Sequence, residues 1–154
     1  MIEIPRYGSL NIRHIVCDYN GTIAKDGMVK PEVKVLFGTL AKDYTLHVIT
    51  ADTFGSVAQQ LEDSPVTVKI LSSDNHTQEK SDYIVSLGQE QCAALGNGNN
   101  DTLMLQCAGL GIAVIGEEGC AKETLLASDM LFTDVTDALS VFIHPKRLIA
   151  TLRQ

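Results

Sequence analysis

Short apolar runs alternate with stretches of helical periodicity along the whole chain, the pattern of βα units feeding a mostly parallel sheet covered by helices. The runs Arg13–Cys17, Thr45–Thr50, Val66–Leu71, Cys92–Leu95, Gly111–Ile115 and Met130–Thr133 are short and bounded by turn formers, and most are rich in β-branched residues, so they predict strands. Between them the spacing predicts helices over Pro31–Lys42, Phe54–Glu62, Gln78–Leu87, Asn100–Ala108, Lys122–Ala127 and Pro145–Leu152. Pro31 and Pro145 suit a first helical turn, where a missing N–H costs little. Met1–Ile4 and Asn11–Ile15 flank a glycine-containing turn and suggest a hairpin added at the sheet edge. The expected fold class is α/β: a three-layer, doubly wound, mostly parallel sheet in one domain over residues 1–154. Ligands of such sheets bind beyond the carboxyl ends of the strands.

Composition narrows the class of function. A chain of 154 residues with 45% hydrophobic content is long enough to bury one real core. No apolar run approaches the roughly 18 residues needed to cross a bilayer. The first residues carry charge and a proline where a signal peptide requires a continuous apolar stretch, so export is not expected. Cys17, Cys92, Cys107 and Cys120 form no CxxC pair and have no histidine at ligand spacing. Neither a zinc site nor a disulfide framework is therefore suggested, and a cytoplasmic location is expected. A net charge of −7 without a basic cluster argues against nucleic acid or an anionic membrane as partner. A phosphorylated small molecule remains compatible, because a local site can be positive on an acidic protein.

Four segments carry candidate chemistry. Ile15-Val16-Cys17-Asp18-Tyr19-Asn20-Gly21-Thr22 sets an acid where an apolar strand gives way to a turn, a place suited to a nucleophile, although Asn20-Gly21 is also an ordinary tight-turn signal. Leu46 to Asp52 is a second strand ending in a hydroxyl, Thr50, which on local grounds serves as well for a helix cap as for a ligand. Lys80 lies near the start of a helix, where a solvated surface lysine is the ordinary reading; Lys69 is the competing cation but falls inside a strand-like run. Gly96-Asn97-Gly98-Asn99-Asn100-Asp101-Thr102-Leu103-Met104-Leu105 follows a strand and opens a helix. Its Gly-x-Gly lacks the third glycine of a dinucleotide loop, and no Walker A sequence occurs. Gly109-Leu110-Gly111 follows a helix and reads as a helix stop. A Cys17 nucleophile with His14 or His47 as base is a further arrangement. It is disfavoured, because Cys17 sits inside the strand on the face opposite Asp18, where a small apolar side chain fills the core.

Taken in order, the four segments resemble the motifs of the haloacid dehalogenase (HAD) superfamily: Asp-x-Asp-Gly-Thr after a strand, a strand ending in Thr or Ser, a helix-borne lysine, and Gly-Asp-Gly-x-Asn-Asp-x-x-Met-Leu. Two positions depart from that pattern, Asn20 and Asn97. The resemblance implies that Asp18 attacks phosphorus to form an aspartyl phosphate, with Asn20 and Lys80 completing the catalytic group. It implies that Thr50, Ala51, Gly21 and Lys80 bind the phosphoryl group, and that Mg2+ is held by Asp18, Asn20, Asn97 and Asp101. In the family the second acid of the first motif shuttles a proton. Asn20 has none to exchange, and losing a general acid/base costs on the order of 10²–10⁴-fold, so slow turnover is expected. The amide oxygen of Asn97 is a hard but uncharged donor, which should weaken the metal without excluding it.

The Thr-x-Asp triplet and the fourth motif are similar to those of soluble relatives of the P-type ATPases, which carry Thr at the position of Asn20. The short gaps from Thr22 to Thr50 and from Thr50 to Lys80 leave no room for a cap domain. A capless, open site follows, and with it an expected homo-oligomer that closes the site against water. The implied function is a magnesium-dependent phosphohydrolase or phosphotransferase acting on a phosphorylated small molecule. The alternative is a catalytically degraded domain kept as a phospho-ligand sensor or an oligomeric interaction module.

Overall fold

A computed structural model describes residues 1–52 and 55–154. From the N-terminus, β1 (Ile2–Ile4) and β2 (Gly8–Leu10) pair antiparallel, and β3 (His14–Asp18) enters the centre of the molecule. A second hairpin, β4 (Ala24–Lys25) with β5 (Met28–Val29), leads to α1 (Pro31–Leu40) and β6 (Thr45–Thr50). Then come the single turn α2 (Val57–Gln60), β7 (Val66–Ile70), α3 (His76–Leu87) and β8 (Cys92–Gly96). The chain closes through α4 (Thr102–Cys107), β9 (Leu110–Val114), α5 (Lys122–Leu126), β10 (Met130–Phe132), α6 (Val135–Ser140) and α7 (Pro145–Leu152). The six expected strands form one parallel sheet in the order β10-β9-β8-β3-β6-β7. No helix among the described residues is long and apolar enough to cross a membrane.

Strand alternation decides what each face buries. In β3, Ile15 and Cys17 point into a core shared with Phe37, Leu139 and Leu148. Val16 points the other way, among Ile49, Ala94, Ile84, Met104 and Leu105. Asp18 has the parity of Val16, so the strand delivers it to the face that α3 and α4 cover. His47 shares that face, and its Nδ1 meets the Tyr83 hydroxyl of α3 at 2.7 Å while its Nε2 meets His14 Nδ1 at 3.1 Å. Burial, and then the neighbouring His14, push the His47 imidazole down to about 4, so it packs as a neutral ring at neutral pH.

Three expectations are corrected. The N-terminal hairpin closes earlier than Asn11–Ile15 and stands apart from the sheet edge, because Ile15 is already committed to the central strand. Its turn is tight, with Arg6 in the left-handed region, and it is tied to the far end of the chain by Gln154 N–H donating to Pro5 O. The helix expected over Phe54–Glu62 shrinks to one described turn, Phe54 itself lying outside the described residues. The helix expected from Asn100 opens as a tighter 3-10 turn over Asn99–Asp101.

Two elements were not foreseen. Asp26 and Gly27 both adopt positive φ and turn β4 into β5, a chemistry the Asp-Gly pair announces. Asp134 caps α6 by accepting from the Thr136 amide at 2.8 Å.

Candidate active site

The carboxyl end of β3 runs straight into a one-turn coil in which the amides of Thr22, Ile23 and Ala24 all point back at the Tyr19 carbonyl. The Tyr19 hydroxyl donates to Gly27 O at 2.7 Å and fixes the β4–β5 hairpin over the turn. This coil aims Thr22 back at Asp18. Its Oγ1 lies 3.3 Å from Asp18 Oδ2 and 3.1 Å from Asn97 Oδ1. A hydroxyl has one hydrogen, so whichever oxygen it serves, the other keeps an open lone pair. Gly21 is required here twice over: its φ is +80°, and a Cβ would fall 2.3 Å from Asn97 Nδ2.

From α3, Lys80 is only 2% exposed and reaches across the sheet end to three acceptors. Its Nζ donates to Asp18 Oδ1 at 2.9 Å, to Asp101 Oδ1 at 2.8 Å and to Asn100 Oδ1 at 3.1 Å, which uses all three of its hydrogens. Lys69 stays in β7, paired beside Ile49.

Asp101 is fully buried, and its other oxygen accepts from the amides of Asn97 and Gly98, both at 3.0 Å. That double bond to the loop is why the first turn of the helix tightens. It is also why residue 96 is glycine: a Cβ there would fall 2.6 Å from the Asp101 side chain. Asn97 is held at both ends, its Nδ2 donating to Gly119 O at 3.3 Å.

Two buried carboxylates thus share one ammonium. Asp101 has two backbone amides as well, so the surplus negative charge falls on Asp18. Burial, and then the Asp101 charge, push the Asp18 carboxyl up to about 7, against the opposing pull of Lys80 and the Tyr19 amide. Burial works against the Lys80 charge, but Asp18 and Asp101 together outweigh it and hold the ammonium above the ordinary lysine value.

The remaining expected residues sit around this centre at different distances. Thr50 and Ala51 follow Ile49, the register partner of Asp18, so they stand at the same end of the sheet. Thr50 is buried, and its Oγ1 accepts from the Asp52 amide at 3.1 Å; Asp52 in turn accepts from the Val57 amide with its own backbone at positive φ. The side chain of Asn20 is exposed and lines a cavity of about 310 Å³ with Asp26, Met28, Asp52 and Gln60. Cys17 is buried in the opposite core, its thiol pushed up to about 12 by burial and by the Asp18 charge. Three contributors were not singled out by the sequence: Thr22, Asn100 and the Gly119 carbonyl. The first two lie inside the quoted motifs, whereas nothing local marks Gly119.

No family model matches the chain. A curated relative, an uncharacterised protein of Methanocaldococcus jannaschii, is 52% identical over 60 residues, 39% of this chain, and the chain spans 64% of that protein's length. Solved structures extend the likeness to the whole architecture. The 3-deoxy-D-manno-octulosonate 8-phosphate phosphatase of Moraxella catarrhalis, in complex with magnesium, phosphate and the sugar acid, superposes with a TM-score of 0.74 at 20% identity over 93% of this chain and 94% of its own. The cobalt-bound enzyme of Haemophilus influenzae gives 0.72 at 16% identity over 88% of each chain. A protein described as a HAD family hydrolase, from Streptomyces avermitilis, gives 0.69 at 18% identity over 86% of this chain and 84% of its own. The fold is the HAD hydrolase fold. In that fold Asp18, Thr50, Lys80 and Asp101 come from four separate stretches of chain and converge at one end of the sheet.

Proposed function

We propose that this chain is a magnesium-dependent phosphotransferase or slow phosphohydrolase that works through an aspartyl phosphate on Asp18. The observation that carries the reading is the Asp18 carboxylate at the end of the central strand, held between the Lys80 ammonium and the Thr22 hydroxyl. Catalysis of phosphoryl transfer is mostly positioning and charge neutralisation, and these residues supply both for the first half-reaction.

The donor set suits a hard cation. Asp18 Oδ2 and Asn97 Oδ1 converge on a single hydroxyl hydrogen, which leaves an oxygen lone pair open, and magnesium takes carboxylate and amide oxygens. Asp18, Asn97 and the main-chain carbonyl of Asn20 would hold the ion, and Asp101 would act through Lys80 and the loop amides. Of these donors only Asp18 is a carboxylate, and no group of three His, Cys, Asp or Glu that could hold a metal occurs among the described residues. Bound there, the cation would neutralise Asp18 and the phosphoryl oxygens. Thr50 and the backbone at Ala51 and Gly21 would orient the phosphoryl group.

Lys80 raises a question of access, since all its hydrogens are already in use. A phosphoryl oxygen has to take the place of one acceptor, and the exposed, neutral Asn100 is the cheapest to displace. Asn100→Ala is therefore expected to tighten inorganic phosphate binding about 2- to 10-fold, read by calorimetry with magnesium present. Weaker binding would mean that Asn100 donates to the phosphate instead.

The direct test of the reading is incubation with magnesium and labelled acetyl phosphate. The expected result is acid-stable, hydroxylamine-labile phosphate on Asp18, absent in Asp18→Asn. Lack of labelling, with phosphate binding unchanged in Asp18→Asn, favours the second reading, a phospho-ligand sensor or oligomeric interaction module. The two asparagines are the observation behind that second reading. The open site that a capless member would have calls for a homo-oligomer, which sedimentation would reveal.

A further inference from the structure

By the motif resemblance the proton carrier belongs at position 20, which here is Asn20, and among the described residues neither side chain bonded to Asp18 replaces it. The groups bonded to Asp18 are Lys80, whose three hydrogens are all engaged, and Thr22, a hydroxyl that cannot exchange a proton usefully near neutral pH. Asp101 is sealed beneath Lys80 and the loop amides. The cavity beside Asn20 is lined by Tyr19, whose hydroxyl is committed to Gly27 O, and by Asp26 and Asp52 among its ionisable groups.

The fold also restrains the conversion of Asn20 into an aspartate by deamidation. Succinimide closure needs the Gly21 nitrogen as nucleophile, and that N–H donates to Ala24 O at 2.9 Å. The Gly98 nitrogen next to Asn97 is likewise tied to Asp101.

Resting on the aspartyl phosphate reading, we infer that the substrates are acyl phosphates or phosphoanhydrides, and that alkyl phosphomonoesters are excluded. The chemistry separates them. A carboxylate oxygen of Asp18 bonds to phosphorus, the P–O bond to the leaving group breaks, and the electron pair departs with that group. From an acyl phosphate it departs as a carboxylate, and from an anhydride as a phosphate; both are stable anions that need no proton. From an alkyl ester it departs as an alkoxide, which must be protonated as it leaves, and the Asn20 amide cannot do so. The Moraxella and Haemophilus neighbours are described as phosphatases of a sugar 8-phosphate, an alkyl ester, so this chain parts from them in substrate class while keeping their architecture. Water attack on the aspartyl phosphate also has to shed a proton, so the same absence makes the phosphoenzyme persist until an anionic acceptor, a carboxylate or a phosphate, takes the phosphoryl group and Asp18 leaves as its carboxylate.

The test is single-turnover labelling of Asp18 in the full chain, comparing acetyl phosphate with glycerol 1-phosphate, together with a series of aryl phosphates of graded leaving-group basicity. Peptide mapping of the same sample verifies that Asn20 is unmodified. Acetyl phosphate is the more reactive donor in any case, so the deciding quantity is how Asn20→Asp changes the ratio. Asn20 is exposed, and the substitution should not disturb folding. The expected result is a steep dependence on leaving-group basicity in the wild type, and an alkyl-to-acetyl ratio that rises about 10²- to 10⁴-fold in Asn20→Asp. An unchanged ratio, a shallow dependence in the wild type, or a dependence that moves with Asp26→Asn or Asp52→Asn would overturn the inference while leaving the aspartyl phosphate standing. No labelling by any donor would remove both.

Discussion

Asp18→Asn is expected to abolish phosphoenzyme formation and, in the same protein, to raise the melting temperature at pH 8 in the absence of divalent metal. The first effect follows from removing the proposed nucleophile. The second follows from charge. In the folded chain the Asp18 carboxyl is pushed up to about 7 by burial and by Asp101, whereas in the unfolded chain it titrates near 3.8. A folded value above the unfolded one means that the native state binds more protons between the two. The contribution of this one group to stability is therefore most favourable at the acid end and falls as pH rises from about 4 through 7. Above that window the ionised Asp18 costs on the order of 2–4 kcal/mol, which the neutral asparagine, still able to accept from Lys80, does not incur. For a domain of this size the gain should be about 5 °C or more, shrinking as the melts are repeated at lower pH. Magnesium should close part of the gap by stabilising the wild type. A variant that melts lower than wild type at pH 8 would show that Asp18 is a structural ion-pair partner and not a strained nucleophile.

Asp101→Ala should act in the opposite direction, with a loss of roughly 3–5 kcal/mol in urea unfolding. The two aspartates bind one lysine, yet they differ in what else they satisfy. Asp101, itself fully buried, takes the amides of the half-buried Asn97 and Gly98 as well as the buried Lys80. Its removal leaves two half-buried N–H groups without their acceptor and loosens the turn that carries Asn97 and Asn100. Against a typical total stability of about 5–15 kcal/mol this is a large fraction. Asp101→Asn, which keeps one acceptor oxygen, should lose less. Equal stability in wild type and Asp101→Ala would mean that water replaces the carboxylate, and that the loop does not depend on it.

Much of this molecule was legible in the residues, for reasons that can be named. The strands announced themselves because a parallel sheet buried on both faces reads as unbroken β-branched runs, as in Val48-Ile49-Thr50. Asp18 and Gly21 were visible because the change from strand to turn is sharp there. Lys80 was visible only through motif order: by local pattern a lysine in a mostly polar helix belongs to solvent, and nothing in α3 itself says that this one is buried. The contacts that set the electrostatics were not legible. Which oxygen of Asp101 faces Lys80, and that its partner oxygen holds two loop amides, depends on a 3-10 turn that composition does not encode. The β4–β5 hairpin and α6 failed for a simpler reason: both are shorter than the windows in which periodicity can be counted, although Asp26-Gly27 and Asp134 were adequate turn and cap signals.

The two asparagines are not equally reversible. Asn20 faces open space, and changing it to aspartate disturbs no contact described for its side chain. Asn97 is wedged against Gly21 and points its amide nitrogen at the Gly119 carbonyl. An aspartate there would turn an acceptor toward an acceptor, and relief by rotation is blocked by the backbone it already touches. A single substitution could therefore set a carboxylate at position 20, whereas one at position 97 requires the 116–119 loop to move first. The cavity edge is free to drift, and the Asn97 side is locked to its neighbours.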